Sequence, residues 1–427
     1  MLKGVILIGG PQKGTRFRPL SLDMPKHLFP IAGRPMIEHL IEACVQIENM
    51  KEILLIGYYQ LDQPLSHSIQ AMMSKYNVKI RYLQEYTTLG TCGGIYHFRD
   101  QILRHNPEAF FLINGDVCGE FDLNHMLQYH KSLEEKKTNQ MTVMVTEATR
   151  QQSLNYGCIV EDKETRRVQH FVEKPSTFIS TTINCGIYVC SPRIFDHIGT
   201  VYRSKLEKNE LEAEDSPFIP FSEALSIEED VLTKLAGPDG GLYAYHTSGW
   251  WCQVKNAASA IFANRNYLKA YRKSNPLLLS NNGDVGPEII GDVWIDSSAD
   301  IHSSAVIGPN VSISKGVRIG PGVRVKESII LKDAIINDHS IVLNSIIGWN
   351  TVVGSWVRVE GAPSDPNPDK ASAKMENHHL FNDEGKLNPS ITVLGSSVQV
   401  FPGLLILNSM VLPHKEITRS YRNEIIL

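Results

Sequence analysis

The sequence predicts a doubly wound α/β domain followed by a parallel β-helix. Short apolar runs alternate with helical patterns in the first half, and apolar residues recur at every sixth position in the second half. The chain has 427 residues, which is more than one hydrophobic core commonly serves, so two domains are expected.

Four short apolar runs in the first half are typical of strands that are buried on both faces of a sheet. They cover residues 4–8, 53–57, 80–83 and 110–113. Between the first two runs, apolar residues recur at helical spacing over 36–45, directly after Pro35, a residue favoured at helix starts. This order predicts parallel strands, whose ligands bind beyond the carboxyl ends. The loops expected to share that crevice are 9–15, 84–91 and 114–116.

The second half repeats with a period of six residues. One series is Ile295, Ile301, Ile307, Ile313, Ile319 and Val325, and another is Ala299, Ala305, Val311, Val317 and Val323. After a shift in phase the pattern resumes as Ile329, Ile335, Ile341, Ile347, Val353 and Val359, and later as Leu394, Val400, Ile406 and Leu412. The period favours a triangular coil that points one residue per face inward.

Between residues 361 and 390 the period is lost. An insertion in a regular coil must loop out, either as a disordered tether or as a functional arm. The proline-rich start at 363–368 and the apolar pair Leu380-Phe381 favour an arm. His378 and His379 in the same stretch are interpreted as part of a polar loop, because adjacent residues seldom bind one metal ion.

Composition narrows the classes of partner. A formal net charge of −4 gives no electrostatic case for binding nucleic acid, and no apolar run is long enough to span a membrane. The seven cysteines contain no CxxC pair and lie among apolar neighbours, which favours reduced thiols and a cytoplasmic location. Small molecules or proteins are therefore the expected partners.

A glycine-rich segment follows the first predicted strand, with Gly9, Gly10 and Gly14 ahead of Arg16. Glycines after a strand let backbone N–H groups approach phosphate oxygens, and arginine adds a forked cation. A glycine loop alone is a weak signal. Further motifs accompany it, namely Pro25-Lys26, Leu89-Gly90-Thr91, Asn114-Gly115-Asp116, Glu173-Lys174-Pro175 and Asn184-Cys185-Gly186.

Together these motifs resemble the signature of the sugar-1-phosphate nucleotidyltransferases, over nearly the whole chain. The resemblance implies a Rossmann-like, GT-A-like nucleotidyltransferase domain followed by a left-handed parallel β-helix of hexapeptide repeats. The implied boundaries are a ligand-binding domain over 1–257, a linker helix over 258–285, and a β-helix over 286–427 with an inserted regulatory loop at 363–390.

The resemblance also implies roles for individual residues. It assigns phosphate-loop positions to Gly9, Gly10, Gly14, Thr15, Arg16 and Lys26. Gly90 and Thr91 would lie against the base, Asp116 would hold Mg²⁺, Glu173 and Lys174 would approach sugar and phosphate, and Asn184 would contact the sugar. The binding residues expected in addition are Glu85, Asn114, Gly157 and Gln253. Glu85 can accept hydrogen bonds from guanine or sugar hydroxyls, or be a solvated loop charge.

Three positions depart from the family pattern. Gln253 stands in Trp251-Cys252-Gln253-Val254-Lys255 where active members place a second metal-binding aspartate, and an amide is a poorer ligand for Mg²⁺ than a carboxylate. The phosphate loop is two residues longer, with Pro11, Gln12 and Lys13 between its second and third glycines. His27 replaces a usual proline. No catalytic residue is therefore expected, and Arg16, Lys26 and Asp116 are interpreted as vestigial.

The resemblance is strongest to the GDP-mannose pyrophosphorylases, which implies GDP-mannose as the ligand and a catalytic beta subunit as a partner. The favoured hypothesis is a catalytically impaired regulatory subunit that mediates feedback inhibition, binds without a cofactor and also self-associates. The first alternative is an active mannose-1-phosphate guanylyltransferase that uses Mg²⁺ through Asp116. The second is a scaffold with an empty pocket.

Overall fold

The structure is a computed structural model that describes residues 1–11, 14–134, 139–215, 224–283, 286–363, 365–370, 372–375 and 380–427. Parts of two features named above lie outside these residues. They are Gln12 and Lys13 of the phosphate loop and, in the insertion, Ser364 of its proline-rich start, residue 371 and residues 376–379, which include the pair His378 and His379.

Helices and strands alternate up to residue 274. The strands are β1 (Leu2–Gly9), β2 (Pro30–Ile31), β3 (Arg34–Pro35), β4 (Met50–Gly57), β5 (Lys79–Gln84), β6 (Ala109–Asn114), β7 (Val117–Gly119), β8 (Met141–Glu147), β9 (Gly157–Glu161), β10 (Val168–Glu173), β11 (Thr182–Cys190), β12 (Leu242–His246) and β13 (Trp251–Gln253). The α-helices are α1 (Met36–Val45), α2 (Gln63–Tyr76), α3 (Gly90–His97), α4 (Arg99–Leu103), α5 (Leu123–Glu134), α6 (Arg150–Ser153), α7 (Ile194–Asp215), α8 (Thr233–Leu235) and α9 (Ala257–Ser274). Shorter helical segments are Thr15–Phe17, Lys26–Leu28, Pro276–Leu278 and the π-helical turn Ile227–Leu232.

Short strands make up the rest of the chain. They are β14 (Glu288–Ile289), β15 (Val293–Ile295), β16 (Asp300–Ile301), β17 (Val306–Ile307), β18 (Val311–Ile313), β19 (Arg318–Ile319), β20 (Arg324–Lys326), β21 (Ile329–Ile330), β22 (Ile335–Ile336), β23 (Ile341–Leu343), β24 (Ser345–Ile347), β25 (Val352–Val353), β26 (Arg358–Glu360), β27 (Thr392–Leu394), β28 (Gln399–Val400), β29 (Leu405–Leu407), β30 (Met410–Val411), β31 (Glu416–Ile417), β32 (Tyr421–Arg422) and β33 (Ile425–Ile426).

The chain forms two compact units. The first unit comprises Met1–Lys13, Ile37–Trp251 and Asn367–Lys374, and the second comprises Gly14–Met36, Cys252–Pro366 and Met375–Leu427. Residues 14–36 belong to the second unit because Asn264 of α9 accepts hydrogen bonds from Ala32 N (2.8 Å) and Ser312 Oγ (2.6 Å). Since contacts do not show which segments fold independently, the predicted domain boundaries stay predictions.

The first unit is built on a mixed sheet. Strands β5, β4, β1 and β6 are neighbours in that order and run parallel, as the four apolar runs predicted. The sheet continues through β11, which is antiparallel to β6. Strand β11 also pairs with β8 and β9. Helix α1 also lies where the apolar spacing predicted it. This confirms the Rossmann-like class, with an antiparallel extension beyond the parallel strands.

Both faces of this sheet are covered by apolar side chains. On one face, Val5, Leu54 and Leu112 are at most 1% exposed and share a hydrophobic cluster with Tyr188 of β11. On the other face, the alternate residues Ile6, Leu55 and Phe111 are 0% exposed. Burial on both faces explains why these strands read as continuous apolar runs in the sequence. All seven cysteines are buried as well, as predicted.

A charged cluster lies near the amino ends of the parallel strands. Lys3 on β1 is 0% exposed, and its ammonium lies 3.2 Å from Glu52 on β4. Glu52 also contacts Arg81 (2.7 Å) and Lys79 (3.2 Å). Burial of Glu52 opposes its ionisation, but hydrogen bonds from Arg81, Lys79 and Lys3 outweigh burial and lower its pKa to about 2. The sheet thus contains a buried ion pair that its apolar pattern does not announce.

The second unit carries the β-helix. Within the described residues, β14–β33 form three parallel ladders, of seven, seven and six strands, and each strand pairs with the third one after it. Inward-facing aliphatic residues from the three ladders form one core. This is the triangular coil that the six-residue period predicted, and it is consistent with the left-handed β-helix that the resemblance implied.

The phase of the repeat differs from the prediction after Val325. The core residues are Ile330, Ile336 and Val342, so the predicted Ile329, Ile335 and Ile341 were wrong by one position. Leu412 was wrong in the same way, because Val411 occupies the core. The reason is that a turn contracts from 18 to 17 residues, so Ile313 pairs with Ile330. Both members of each of the four pairs are apolar, so composition does not distinguish them. The predicted Ile347, Val353, Val359, Leu394, Val400 and Ile406 are confirmed.

The insertion lies between β26 and β27. Ala362 N donates to Ser390 O (3.0 Å) at its base. Further along, Phe381 pairs with Leu387 in a short antiparallel bridge, and Leu380 and Phe381 are 46% and 48% exposed. The apolar pair noted in the sequence is therefore accessible to solvent. Among the described residues, no helix is both long and apolar enough to cross a membrane.

Candidate functional site

The carboxyl edge of the parallel strands places three predicted loops side by side. Gly9 ends β1, Asn114 ends β6, and Asp116 lies in the turn that follows. Glu85 directly follows β5, two strands away from β1. Since parallel neighbours end at the same edge, residues more than 70 positions apart in sequence line one side of the first unit.

The glycines at the end of β1 allow a close approach of two chain segments. Tyr58 N donates to Gly9 O (2.7 Å), and a Cβ on Gly10 would lie 2.8 Å from Tyr58 Cβ. Any larger residue at position 10 would displace Tyr58. The two glycines therefore let the end of β1 lie directly against Tyr58, which follows β4.

Glu85 lies against the middle of helix α3. A Cβ on Gly94, the fifth residue of this eight-residue helix, would collide with Glu85 Oε1, so the carboxylate packs closely on the helix backbone there. The side chain is half-buried. Glu85 is thus held by the protein rather than being a fully solvated loop charge.

Gly90 and Thr91 are connected to a segment that the sequence analysis missed. Gly90 has a φ of +78°, and a Cβ there would lie 2.5 Å from Leu225 O. Thr91 Oγ1 donates to Glu228 Oε2 (3.1 Å) and accepts from Ile227 N (2.9 Å). The Thr91 position predicted for the base is therefore bonded to the π-helical turn that contains Glu228.

Glu228 is an additional polar group at this place. Ser226 Oγ also donates to its Oε2 (3.1 Å). Burial raises the pKa of Glu228, and the nearby negative charge of Glu173 raises it further. The run Ser226-Ile227-Glu228-Glu229 resembles a helix N-terminus in sequence, and Ser226 does accept from Glu229 N. Nothing in that local pattern shows that Glu228 lies beside Thr91, 137 residues away.

Gly157, Glu173 and Lys174 lie together. Glu173 pairs with Gly157 across β9 and β10, and a Cβ on Gly157 would lie 2.9 Å from Glu173 Oε2. Lys174 Nζ lies 2.7 Å from Glu173 Oε1, and the Lys174 side chain is 61% exposed. The lysine therefore presents its charge to solvent while its neighbour is largely buried.

Asn184 is fixed in an irregular part of β11. Its Nδ2 donates to Tyr188 Oη (2.7 Å), and its Oδ1 accepts from Gly186 N (2.8 Å). The register with β8 shifts between Asn184 and Tyr188. A Cβ on Gly186 would lie 2.7 Å from Asn114 Nδ2, so the end of β6 meets this bulge. The first unit thus brings Asn114 and Asn184 close together.

The remaining predicted residues belong to the second unit. Gly14 (φ +77°) precedes the short helix with Thr15 and an exposed Arg16. Lys26 is only 7% exposed, with its ammonium 6.0 Å from the centre of the Phe17 ring. Its Cδ would lie 3.6 Å from a Cβ on Gly14, which links these two phosphate-loop positions. Gln253 ends β13 and is half-buried.

The residues at the two metal positions of the resembled family are one carboxylate and one amide. A different arrangement, a group of three or more His, Cys, Asp or Glu side chains placed as metal ligands, is also absent from the part of the chain that the structure describes. The turn after β6 offers Asp116, but the segment that supplies the second carboxylate in the resembled family contains Gln253. Amides are weaker ligands than carboxylates for hard cations.

Comparisons with known proteins agree with the fold. The family model described as nucleotidyl transferase matches residues 3–225, which is more than half of the chain. A second model, described as GMPPB C-terminal domain, matches residues 289–426. The chain therefore belongs to the nucleotidyl transferase family.

Curated relatives narrow this class. The mannose-1-phosphate guanylyltransferase regulatory subunit alpha-A of Danio rerio is 54% identical over 427 residues. The regulatory subunits alpha of Homo sapiens and Drosophila melanogaster are 52% and 55% identical, over 428 and 441 residues. Each match covers 100% of both chains. The chain is thus similar along its whole length to regulatory alpha subunits, which confirms the resemblance drawn from the motifs.

Proposed function

We propose that this chain is a catalytically impaired regulatory subunit that binds GDP-mannose and limits the activity of a catalytic mannose-1-phosphate guanylyltransferase subunit. One observation carries the proposal: Gln253 stands where the family places its second metal-binding carboxylate. Nucleotidyl transfer depends on neutralising charge in the transition state, and Mg²⁺ supplies most of that neutralisation. An amide at position 253 removes an anchor for the metal.

Binding needs less charge than turnover. GDP-mannose carries a diphosphate, and the resemblance assigns the cations Arg16, Lys26 and Lys174 to its phosphate oxygens. The Lys174–Glu173 pair is exposed on the lysine side, and exposed ion pairs contribute little stability. Lys174 can therefore exchange the carboxylate for a phosphate oxygen at small cost. No metal ion or other cofactor is required for this step.

Sugar recognition is assigned to the polar groups around β11. Asn184 is oriented by Tyr188 and Gly186 before any ligand arrives, which reduces the entropy lost on binding. Glu173 and Glu228 add carboxylates that accept hydrogen bonds from sugar hydroxyls. Glu85 and Thr91 are assigned to the base side, where their positions are fixed by α3 and by Glu228.

The proposed partner is a catalytic beta subunit, with self-association through the β-helix. The names of the relatives, which are regulatory subunits, support this part of the proposal. Feedback then requires that occupied and empty states of this chain differ in their effect on the catalytic subunit. The cytoplasm is the proposed location, since seven buried cysteines suit a reducing compartment.

A second candidate is an active guanylyltransferase, which the retained Asp116 favours. Pyrophosphate release from GTP, mannose-1-phosphate and Mg²⁺ separates the two functions. We expect no release above background from the purified chain, and release from the Gln253→Asp variant if this side chain alone is limiting. Release at a typical enzymatic rate by the unaltered chain would refute the regulatory proposal.

Binding is tested by calorimetry with GDP-mannose in the presence of EDTA. We expect saturable binding, weakened roughly tenfold by Lys174→Met, because a charge-assisted bond to phosphate is lost. Lys163→Met, an exposed lysine on a neighbouring loop, is the matched control and should leave the affinity unchanged. If the unaltered chain gives no binding heat and no thermal shift, a scaffold with an empty pocket replaces the proposal.

A further inference from the structure

Part of the insertion belongs to the first unit. Residues Asn367–Lys374 group with the mixed sheet, although they lie in the sequence between two β-helix strands. The contact is specific at Lys374: its N donates to Gln152 Oε1 (2.8 Å), and its carbonyl accepts from Gln152 Nε2 (2.7 Å). One side-chain amide therefore satisfies both backbone groups of one residue, as a neighbouring strand would.

Gln152 is held in position for this contact. It lies in the short helix α6, where its N donates to Thr149 Oγ1 (3.3 Å), and it is 8% exposed. A buried amide needs partners for its donor and its acceptor, because leaving either one unpaired is costly. Lys374 accepts from the Nε2 donor, and it shares the Oε1 acceptor with Thr149 Oγ1, which donates to it at 3.1 Å. The side-chain amide of Gln152 on α6 and the backbone of Lys374 in the insertion therefore hydrogen-bond to each other.

The Lys374 side chain reaches the sheet itself. Its ammonium donates to Thr146 Oγ1 (3.2 Å) on β8, a residue that is 6% exposed. Thr146 pairs with Ile183 of β11, and the next pair along is Val145 with Asn184. Side chains of successive pairs point to opposite faces of a sheet. Lys374 therefore contacts the β8–β11 pair from the face opposite to the one that Asn184 occupies.

We propose that Gln152 and Thr146 form a docking site for the insertion, and that Lys374 is a positioning residue for the ligand site at Asn184. The inference rests on the proposed function and adds a regulatory connection to it. The docked segment contacts Thr146, which pairs with Ile183 directly beside Asn184, so docking supports this part of the β8–β11 pair and favours the arrangement of Asn184 that binds ligand. By thermodynamic reciprocity, GDP-mannose then favours docking of the insertion.

The segment lies mostly at the surface, which makes the equilibrium adjustable. Lys370 and Ser372 are exposed, while hydrogen bonds join Lys374 to Gln152 and Thr146. A segment held in this way is of lower local stability than the sheet behind it. A ligand with a modest preference for the docked state can therefore change how much of the insertion is free to act elsewhere.

The test is hydrogen exchange of the full chain, read from peptides that contain residues 372–375, with and without GDP-mannose. We expect severalfold slower exchange when the ligand is bound. Gln152→Ala should speed exchange there in the unliganded protein and weaken GDP-mannose binding three- to tenfold. Gln151→Ala, the exposed neighbour on the same helix, is the matched control and should do neither.

Lys374→Ala separates docking from positioning. The backbone bonds to Gln152 remain possible in this variant, so its unliganded exchange should change little while the affinity for GDP-mannose falls. This variant also guards against a folding defect in Gln152→Ala, since it alters only the insertion. Lys370→Ala serves as its control.

Each outcome decides something different. If Gln152→Ala leaves exchange at 372–375 unchanged without ligand, the docking site is wrong. If docking is seen but Lys374→Ala binds GDP-mannose as tightly as the unaltered chain, the positioning role is wrong and the proposed function stands. If the unaltered chain does not bind GDP-mannose at all, the proposed function fails and the coupling fails with it, while exchange in the unliganded variants still reports on docking.

Discussion

The mixed sheet of the first unit and the β-helix of the second unit determine the places of their side chains by different rules. In the β-helix, a core residue stacks on a similar residue 17 or 18 positions away, as Ile330 does on Ile347. In the sheet, neighbours such as Lys3 and Glu52, or Thr91 and Glu228, are distant in sequence and different in chemistry. Because the β-helix repeats, most of its side-chain positions can be predicted from the local sequence pattern. The first unit has no such repeat, so the positions of its side chains depend on tertiary contacts.

The difference also separates stability from function. The hydrophobic core of the β-helix is aliphatic, and most of the polar residues buried beside it carry small hydroxyl side chains, such as Ser340 and Thr351. The sheet unit places carboxylates, amides and an ion pair in partly or fully buried positions. Buried polar groups cost free energy unless they are paired. The first unit therefore bears a free-energy cost that the β-helix core does not, and it gains polar groups that can bind a ligand.

The largest effect is expected from Glu52→Gln in the sheet. The change leaves Lys3 buried without its anion, which typically costs about 3–5 kcal/mol of unfolding free energy at pH 7. Because folding lowers the pKa of Glu52 from 4.5 to about 2, the stabilisation by its charge is present above pH 4.5 and is lost as the pH falls towards about 2. Urea unfolding of the unaltered chain and of Glu52→Gln should show a smaller difference in unfolding free energy at pH 3 than at pH 7.

The exposed Glu48 supplies the control for this charge. Glu48→Gln should shift the urea midpoint little at either pH. A cost of Glu52→Gln that does not depend on pH would show that packing, rather than the ion pair, gives Glu52 its importance.

A somewhat smaller effect is expected in the β-helix, where two adjacent isoleucines face different environments. Ile336→Ala removes a side chain that is 0% exposed, which should cost about 3 kcal/mol. Ile335→Ala removes the same atoms from a partly exposed position and should cost about 1 kcal/mol. Denaturant unfolding of the pair measures the phase of the repeat directly. Equal losses would contradict the contracted turn.

Helix α9 tests a signal that is fully local. Asn256 accepts a hydrogen bond from Ser259 N (2.9 Å) and forms a capping box with it. Asn256→Ala should therefore lower the unfolding free energy of the second unit by about 1 kcal/mol, which thermal unfolding would measure. Asn256→Ser should restore most of that loss, because serine also caps helices well. If serine and alanine behave alike, the hydrogen bond is not what stabilises the helix start.

The smallest effect is expected at a corner of the β-helix. Trp356 is 67% exposed and stacks on His339 with ring centres 4.4 Å apart. Trp356→Ala should change the unfolding free energy by about 0.5 kcal/mol or less, as surface substitutions commonly do. Val357→Ala at the next position, which is 1% exposed, should cost more. A large decrease in unfolding free energy for Trp356→Ala would mean that corner residues, and not only inward-facing ones, stabilise the β-helix.

Many residues of the candidate site could be identified from the sequence, but which of them contact each other could not. The glycines after β1, the end of β6 and the Glu173-Lys174 motif were identified because each follows a strand and resembles a family motif. Glu228 was missed because its only local signal is that of a helix start. Gln152 and Lys374 were missed because they are 222 positions apart and neither belongs to a motif.

The sequence by itself determined the two architectures, the strands of the parallel sheet, helix α1 and the existence of the insertion, since each depends on a periodicity that short segments express alone. Only the tertiary structure decided which member of each isoleucine pair faces the β-helix core, which carboxylate lies beside Thr91, and where the insertion touches the sheet. Those outcomes depend on contacts between distant segments, whose free energy no local pattern records.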